Sequence, residues 1–312
     1  MIFKIDHNYA TTIQGATLSD LCCKMMEHGH FIDCDKNTFE LISKSIKENA
    51  STTQKEWFMT FKGFSITAEL RKYLTTISVD GSNYSLDDMN RMIGKESRVL
   101  VENGPYEWDA FKKMIGVFER DRKYKNLFQL LIKARNNNYL SDLHCGGCGM
   151  IIARIKQQEQ GEYKNVFAVK SCVVFDRDTI DDHSYSKEKN GLFKLFCNKD
   201  STTVTDNDIY VLNQSPYYWH MWYKREIENY FTDDCYVEEG VDVTGFPTEL
   251  NRRDYFAIDK SSAPGYDKPL LSSIAGHMSR ADYDTIASKK FSVNGELLSE
   301  LQLLLLKLVK II

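Results

Sequence analysis

Val99-Leu100-Val101-Glu102 and, further along, Val173-Val174-Phe175-Asp176-Arg177-Asp178 are two short apolar runs that end abruptly in carboxylate. Unbroken apolar runs of this length predict strands buried on both faces, as in a parallel sheet. A buried strand has no packing reason to end in acid unless the acid faces the crevice at its carboxyl end, where open α/β sheets bind ligands. Glu102, Asp176 and Asp178 are therefore candidates for a single site. Three close carboxylates repel one another unless a cation holds them, and hard cations such as Mg²⁺ take oxygen ligands.

Working outward, residues 96–235 alternate strand and helix. Arg98 to Glu102 predicts the first strand. Gly104-Pro105 then opens a helix from Tyr106 to Phe118, with Trp108, Phe111, Ile115 and Phe118 near helical spacing. A further helical piece runs from Leu127 to Ala134. Tyr139 to Cys145 reads as the second strand, closed by Gly146-Gly147, and Met150 to Gln157 as the next helix. Val166 to Asp176 and Asp208 to Leu212 are expected as strands three and four. Helices between strands predict right-handed parallel crossovers, hence an α/β fold with a mainly parallel sheet.

Two regions flank this one. Residues 1–95 form an N-terminal accessory region, with helices expected over Leu21–His28 and Lys36–Glu48. A strand pair is expected at Trp57–Phe61 and Phe64–Thr67, and a short helix from Ser85. Residues 236–312 form a C-terminal, mainly helical extension. Its leucine-rich stretch Glu296–Ile312 is apolar on nearly every face, which predicts a core helix or a homodimer contact.

Composition sets bounds on function. The 312 residues are 42% hydrophobic and 27% charged, ordinary for a globular protein. The net charge of −4 means that nucleic-acid contact requires local basic patches. Eight scattered cysteines read as reduced thiols, with Cys22 and Cys23 as buried, inert ones. The N-terminus lacks the apolar core of a signal peptide, and Leu301–Ile312 is too short and too charged to span a bilayer, so a cytoplasmic protein without membrane contact is expected. No Walker-type loop is present, and nothing points to an ATPase.

The acidic strand ends, the Gly146-Gly147 turn between them and the run Lys224-Arg225-Glu226-Ile227-Glu228-Asn229-Tyr230-Phe231 together resemble the TOPRIM domain of OLD-family nucleases and related anti-phage effectors. The likeness covers about 96–235. Asn103 separates Glu102 from Gly104 where the family often has Glu-Gly directly, and Glu107 and Asp109 both lie near the position of the family's next acid. The resemblance implies a Mg²⁺-dependent nuclease, with Mn²⁺ as a substitute. In that reading Glu102 serves as metal ligand or general base, Asp176 and Asp178 hold Mg²⁺, and Glu228 supports a second ion. The physical logic is that two divalent ions about 4 Å apart stabilise the attacking and leaving oxygens of phosphodiester cleavage. Some relatives cut DNA and others tRNA, so the nucleic-acid substrate stays open. By the same likeness, the chain is expected to be the toxic effector of an anti-phage system, with a separate ATPase as partner subunit. The rival reading is a catalytically degenerate TOPRIM scaffold acting as a nucleic-acid-binding or regulatory subunit. A primase would bring a zinc module and a topoisomerase a catalytic tyrosine on another domain; neither is visible.

The remaining motifs are less specific. For Glu228 the bland alternative is a surface pair with Lys224. Glu226 is expected to be solvated. Lys112, Lys113, Arg120, Arg122, Lys123 and Lys125 gather near the first crossover helix, and with Lys224 and Arg225 they are candidates for nucleic-acid backbone contacts or plain solvated cations. The aromatic run Tyr217–Tyr223 suits core packing better than base stacking. His144-Cys145-Gly146-Gly147-Cys148 has no partner pair at zinc-ligand spacing and reads as a tight turn.

Overall fold

A computed structural model describes residues 1–118, 121–286 and 289–312. The chain forms two compact units: residues 1–96, 158–170 and 310–312 make one, and residues 97–157 and 171–309 the other.

In the first unit, β1 (Ile2–Ile5) lies between β2 (Phe31–Asp33) and β3 (Thr76–Val79), both parallel to it. Helices Ala16–Glu27 and Lys36–Asn49 lie in the connections, Leu86–Gly94 follows β3, and together they bury Leu18, Leu21, Cys22, Met25, Ile42, Met89 and Met92, with Ile2 and Phe3 buried in β1. Their starts are written in the sequence. Asp35 accepts the amide of Thr38, and Ser85 and Asp88 close a capping box. The strand pair expected at Trp57–Phe61 and Phe64–Thr67 is not formed. Ser51 and Gln54 close a capping box that starts the helix Thr52–Thr60 instead, and this local signal outweighs the β-propensity of the aromatic residues.

The second unit is built on four parallel strands, β4 (Ser97–Val101), β5 (Leu140–His144), β6 (Ser171–Phe175) and β7 (Tyr218–Met221), in the order β5-β4-β6-β7. The fold is thus α/β with mainly parallel sheets flanked by helices. All five residues of β6 are buried, as are Val99, Leu100 and Val101 of β4, which accounts for their unbroken apolar character. The chain enters the sheet at β4, crosses outward to β5 through helices Gly104–Val117 and Lys125–Asn136, and returns on the far side as β6. The strand order therefore reverses between β4 and β6, the position at which doubly wound sheets open a crevice.

The fourth strand is not Asp208–Leu212, as expected. There Thr205 and Asp208 close a capping box and start the short helix Asp206–Ile209. The fourth strand comes from the aromatic run instead, and Tyr217–Tyr223 are all buried. Trp219 stacks on Phe175 and Phe196 at centroid distances of 6.0 and 5.3 Å. Val166–Lys170 likewise is not strand: a turn of helix, Phe167–Lys170, precedes β6. Most of the segment expected as a C-terminal extension belongs to this unit. Its final helix begins at Glu300, because residues 290–299 form the antiparallel pair β8 (Lys290–Val293) and β9 (Glu296–Ser299). Leu303 to Leu306 are all buried, as the apolar pattern requires. Among the described residues no helix is long and apolar enough to cross a membrane.

Candidate active site

Glu102 and Asp176 are the first residues beyond β4 and β6. Because these strands are parallel neighbours, both acids leave the sheet at the same carboxyl edge. The buried Glu102 carboxylate accepts the Asp176 amide at 3.1 Å, the Cys148 amide at 3.1 Å and the ammonium of Lys189 at 2.8 Å. Cys148 opens the helix Cys148–Gln160, and the turn before it needs Gly146 and Gly147 at φ 81° and 111° so that Gly147 can donate to the Glu102 carbonyl at 2.8 Å. The stretch His144–Cys148 is therefore the end of β5 and the turn over Glu102.

Asp178 sits at the mouth of the crevice with φ 56°, a left-handed conformation that Asp tolerates better than most residues. Its amide and that of Arg177 both bond the carbonyl of Arg225, at 3.1 and 2.9 Å. Lys189 lies 2.7 Å from its carboxylate and 2.8 Å from Glu102, and the lysine side chain is fully buried. Burial pulls the lysine pKa down, but the two carboxylates outweigh it and raise it above the ordinary value, so Lys189 is a fixed positive charge.

Two further acids join the cluster: Glu107, one of the two candidates for the second acid, and Glu226, not expected at the site. Glu107, on the first turn of the helix Gly104–Val117, turns back to accept the Asn103 amide at 3.0 Å. Burial lifts its carboxyl to about 7 against the pull of Asn103 and Lys268, with Glu228 adding to the rise. Glu107, not Asp109, is thus the second acid after β4; Asp109 pairs with Lys112 at 2.6 Å. Glu226, expected to be solvated, is half-buried because the segment after it is a 3₁₀ turn, Ile227–Tyr230, and not a surface helix. Burial and then Glu228 raise its carboxyl to about 7.

Glu228 is fully buried. One oxygen accepts Tyr266 Oη at 3.0 Å and lies 3.3 Å from Lys268 Nζ, while Oε2 has no hydrogen-bond partner. Its expected partner Lys224 pairs with Asp254 at 2.6 Å instead. Lys268 also lies 3.9 Å from Glu107 Oε1, which has no hydrogen-bond partner either. The carboxylates around Lys268 raise its pKa despite burial.

Asp176 stands apart from its neighbours. It is 4% exposed, and among the described residues its carboxylate forms no ion pair, although Lys268 is near enough for the Asp176 charge to raise the lysine pKa. Burial, reinforced by Glu107, Glu228, Glu102 and Glu226, holds its pKa well above the ordinary carboxyl value. A buried acid crowded by four others, its pKa strongly raised in a crevice, marks functional chemistry more often than packing.

The basic candidates are placed differently. Lys224 is buried against Asp254 and the Asn229 carbonyl, so it is corrected from a backbone contact to a structural ion pair. Arg225 is half-buried, 3.4 Å from Glu226. Lys113, Arg122 and Lys125 are exposed, and Lys123 pairs with Glu296 at 2.8 Å. Arg120 lies outside the described residues. Among those described, none of Lys112, Lys113, Arg122 and Lys123 pairs with the acidic cluster.

The donor set suits a hard divalent cation in kind and in charge: six carboxylates against Lys189, Lys268 and Arg225, with Glu107 Oε1 and Glu228 Oε2 left without hydrogen-bond partners. In position the match is incomplete. Among the described residues no three acidic, histidine or cysteine side chains are grouped as ligands of one ion, and the lysine ammonium groups bridge the carboxylates in pairs. Comparisons with protein-family models, with curated proteins and with solved structures return no match.

Proposed function

We propose that this chain is a Mg²⁺- or Mn²⁺-dependent nuclease of TOPRIM type that cleaves phosphodiester bonds in DNA or RNA. The observation that carries the reading is Asp176, a buried carboxylate at the switch point of a parallel sheet that forms no ion pair among the described residues and is crowded by four other acids. Such crowding costs stability unless a cation relieves it.

Within this reading Asp176, Glu107 and Glu228 hold the cation, since Glu107 Oε1 and Glu228 Oε2 lack hydrogen-bond partners and Asp176 is the buried acid they crowd. Bound there, the cation supplies Lewis-acid activation of the phosphodiester and of the attacking water. Glu102 and Asp178, fixed by Lys189, position the loop after β6 and present oxygen acceptors to a proton leaving the nucleophile. Lys268, partly exposed, is placed to meet a phosphate oxygen once the carboxylates it bridges take up the cation. A role as the effector of an anti-phage system, with an ATPase partner, is part of the proposal and rests on the sequence resemblance alone.

The second reading, a degenerate TOPRIM scaffold, is favoured by one observation: two lysines already neutralise four of the carboxylates. A divalent-ion titration separates the two. The nuclease reading expects Mg²⁺ or Mn²⁺ to raise the melting temperature and to be required for degradation of mixed DNA and total RNA. If melting does not respond and both nucleic acids stay intact at every protein concentration, the scaffold reading replaces it.

A further inference from the structure

Beside the acidic cluster lies a cavity of about 650 Å³, lined among others by Ile180, Arg225, Pro247, Arg252, Tyr255 and Phe256. We propose that it binds one unstacked nucleotide of the strand being cut, so that the substrate is single-stranded nucleic acid; this rests on the nuclease reading above.

Three observations converge on it. The first is position. Arg225 is a wall of the cavity and also the residue whose carbonyl ties down the amides of Arg177 and Asp178, and Ile180 follows Asp178 by two residues. A ligand here is separated from Asp178 and Glu226 by one or two residues of chain, at Ile180 and Arg225. The second is charge. Arg225 Nε is buried without a hydrogen-bond partner, its nearest acceptor being Glu226 at 3.4 Å, and the exposed Arg252 guanidinium makes no ion pair among the described residues. Two arginines with capacity to spare suit a phosphate. The opposing acid, Asp259, is already engaged by the amides of Ser261 and Ser262 and the Ser261 hydroxyl.

The third observation is apolar surface. Ile180 is 80% exposed at the rim, and Phe256 is half-buried with its ring 5.8 Å from that of Phe246. An exposed isoleucine next to two arginines gives a base an apolar face and its phosphate a charged one. The volume falls within the range of small-ligand pockets and is large enough for one base turned out of its stack.

The test is fluorescence anisotropy on the full chain, with Ca²⁺ replacing Mg²⁺ to hold back cleavage. The probes are a labelled single-stranded oligonucleotide and the same sequence as a blunt duplex. Cleavage of both by the wild type is measured in parallel with Mg²⁺. The single strand is expected to bind about tenfold tighter than the duplex. Ile180→Glu and Arg252→Gln, both at exposed positions and without effect on melting, are expected to weaken single-strand binding by about fivefold or more. Arg252→Gln is also expected to make the salt dependence shallower by about 0.7 in log–log slope. Equal or tighter duplex binding, or wild-type affinity in both variants, overturns the inference; if Mg²⁺-dependent cleavage persists, the nuclease reading survives it. Absence of both binding and cleavage overturns the two together.

Discussion

Glu107 shows how one side chain reports on the whole cluster. Its carboxyl titrates near 7 in the folded chain against about 4.5 in the open chain. Between those values the folded state keeps a proton that the unfolded state has lost, so its contribution to stability falls as pH rises through that window. Glu107→Gln mimics the neutral acid. Relative to wild type without metal, it is expected to change little at pH 5 and to stabilise by on the order of 1–3 kcal/mol at pH 8. Parallel denaturant titrations at the two pH values check this, and a pH-independent difference would place Glu107 outside the cluster. Glu102 and Asp176 were legible in the sequence because each ends an apolar run, and a strand end fixes where a side chain goes. Glu107 was legible only as one of two choices with Asp109, and Glu226, Lys189 and Lys268 were not, because a 3₁₀ turn and loops bring them in and their approach depends on tertiary packing. Glu107 carried one usable signal, an acid on the first turn of a helix that starts at the strand end.

At the scale of elements, the helix Glu300–Ile311 anchors the second unit. Glu300 is buried and accepts the Tyr223 amide at 2.6 Å, His220 Nε2 at 3.0 Å and the hydroxyl of Tyr230. It thereby fixes the Ile-Glu-Asn-Tyr turn that carries Glu228. Leu304 is fully buried, and Leu304→Ala is expected to cost about 2–5 kcal/mol in urea unfolding. A cost below 0.5 kcal/mol would show that the helix is not part of the core. Strands β4 and β6 were readable because both faces are covered and the apolar run is continuous. The strand missed, β7, is aromatic, while the strands wrongly expected at Trp57 and Asp208 lie where capping boxes at Ser51 and Thr205 start helices. In both places a hydrogen-bonded cap decided what residue propensity alone left ambiguous.

Across the whole molecule, the doubly wound order of the second sheet brings together acids that the chain holds far apart, and this topology makes a site out of them. With a net charge of −4, the proposed capture of nucleic acid would depend on local cations such as Arg225 and Arg252 and not on the overall field. The most direct test is to compare wild type with Asp176→Asn, measuring nucleic-acid cleavage and melting temperature with and without Mg²⁺. Asn keeps the shape, removes the charge and relieves repulsion from Glu102, Glu107 and Glu228. Cleavage is expected to fall roughly 100-fold or more and the Mg²⁺ effect on melting to weaken, while the metal-free melting temperature holds or rises. Wild-type cleavage by Asp176→Asn at matched Mg²⁺ would contradict the assignment of this cluster as the active site.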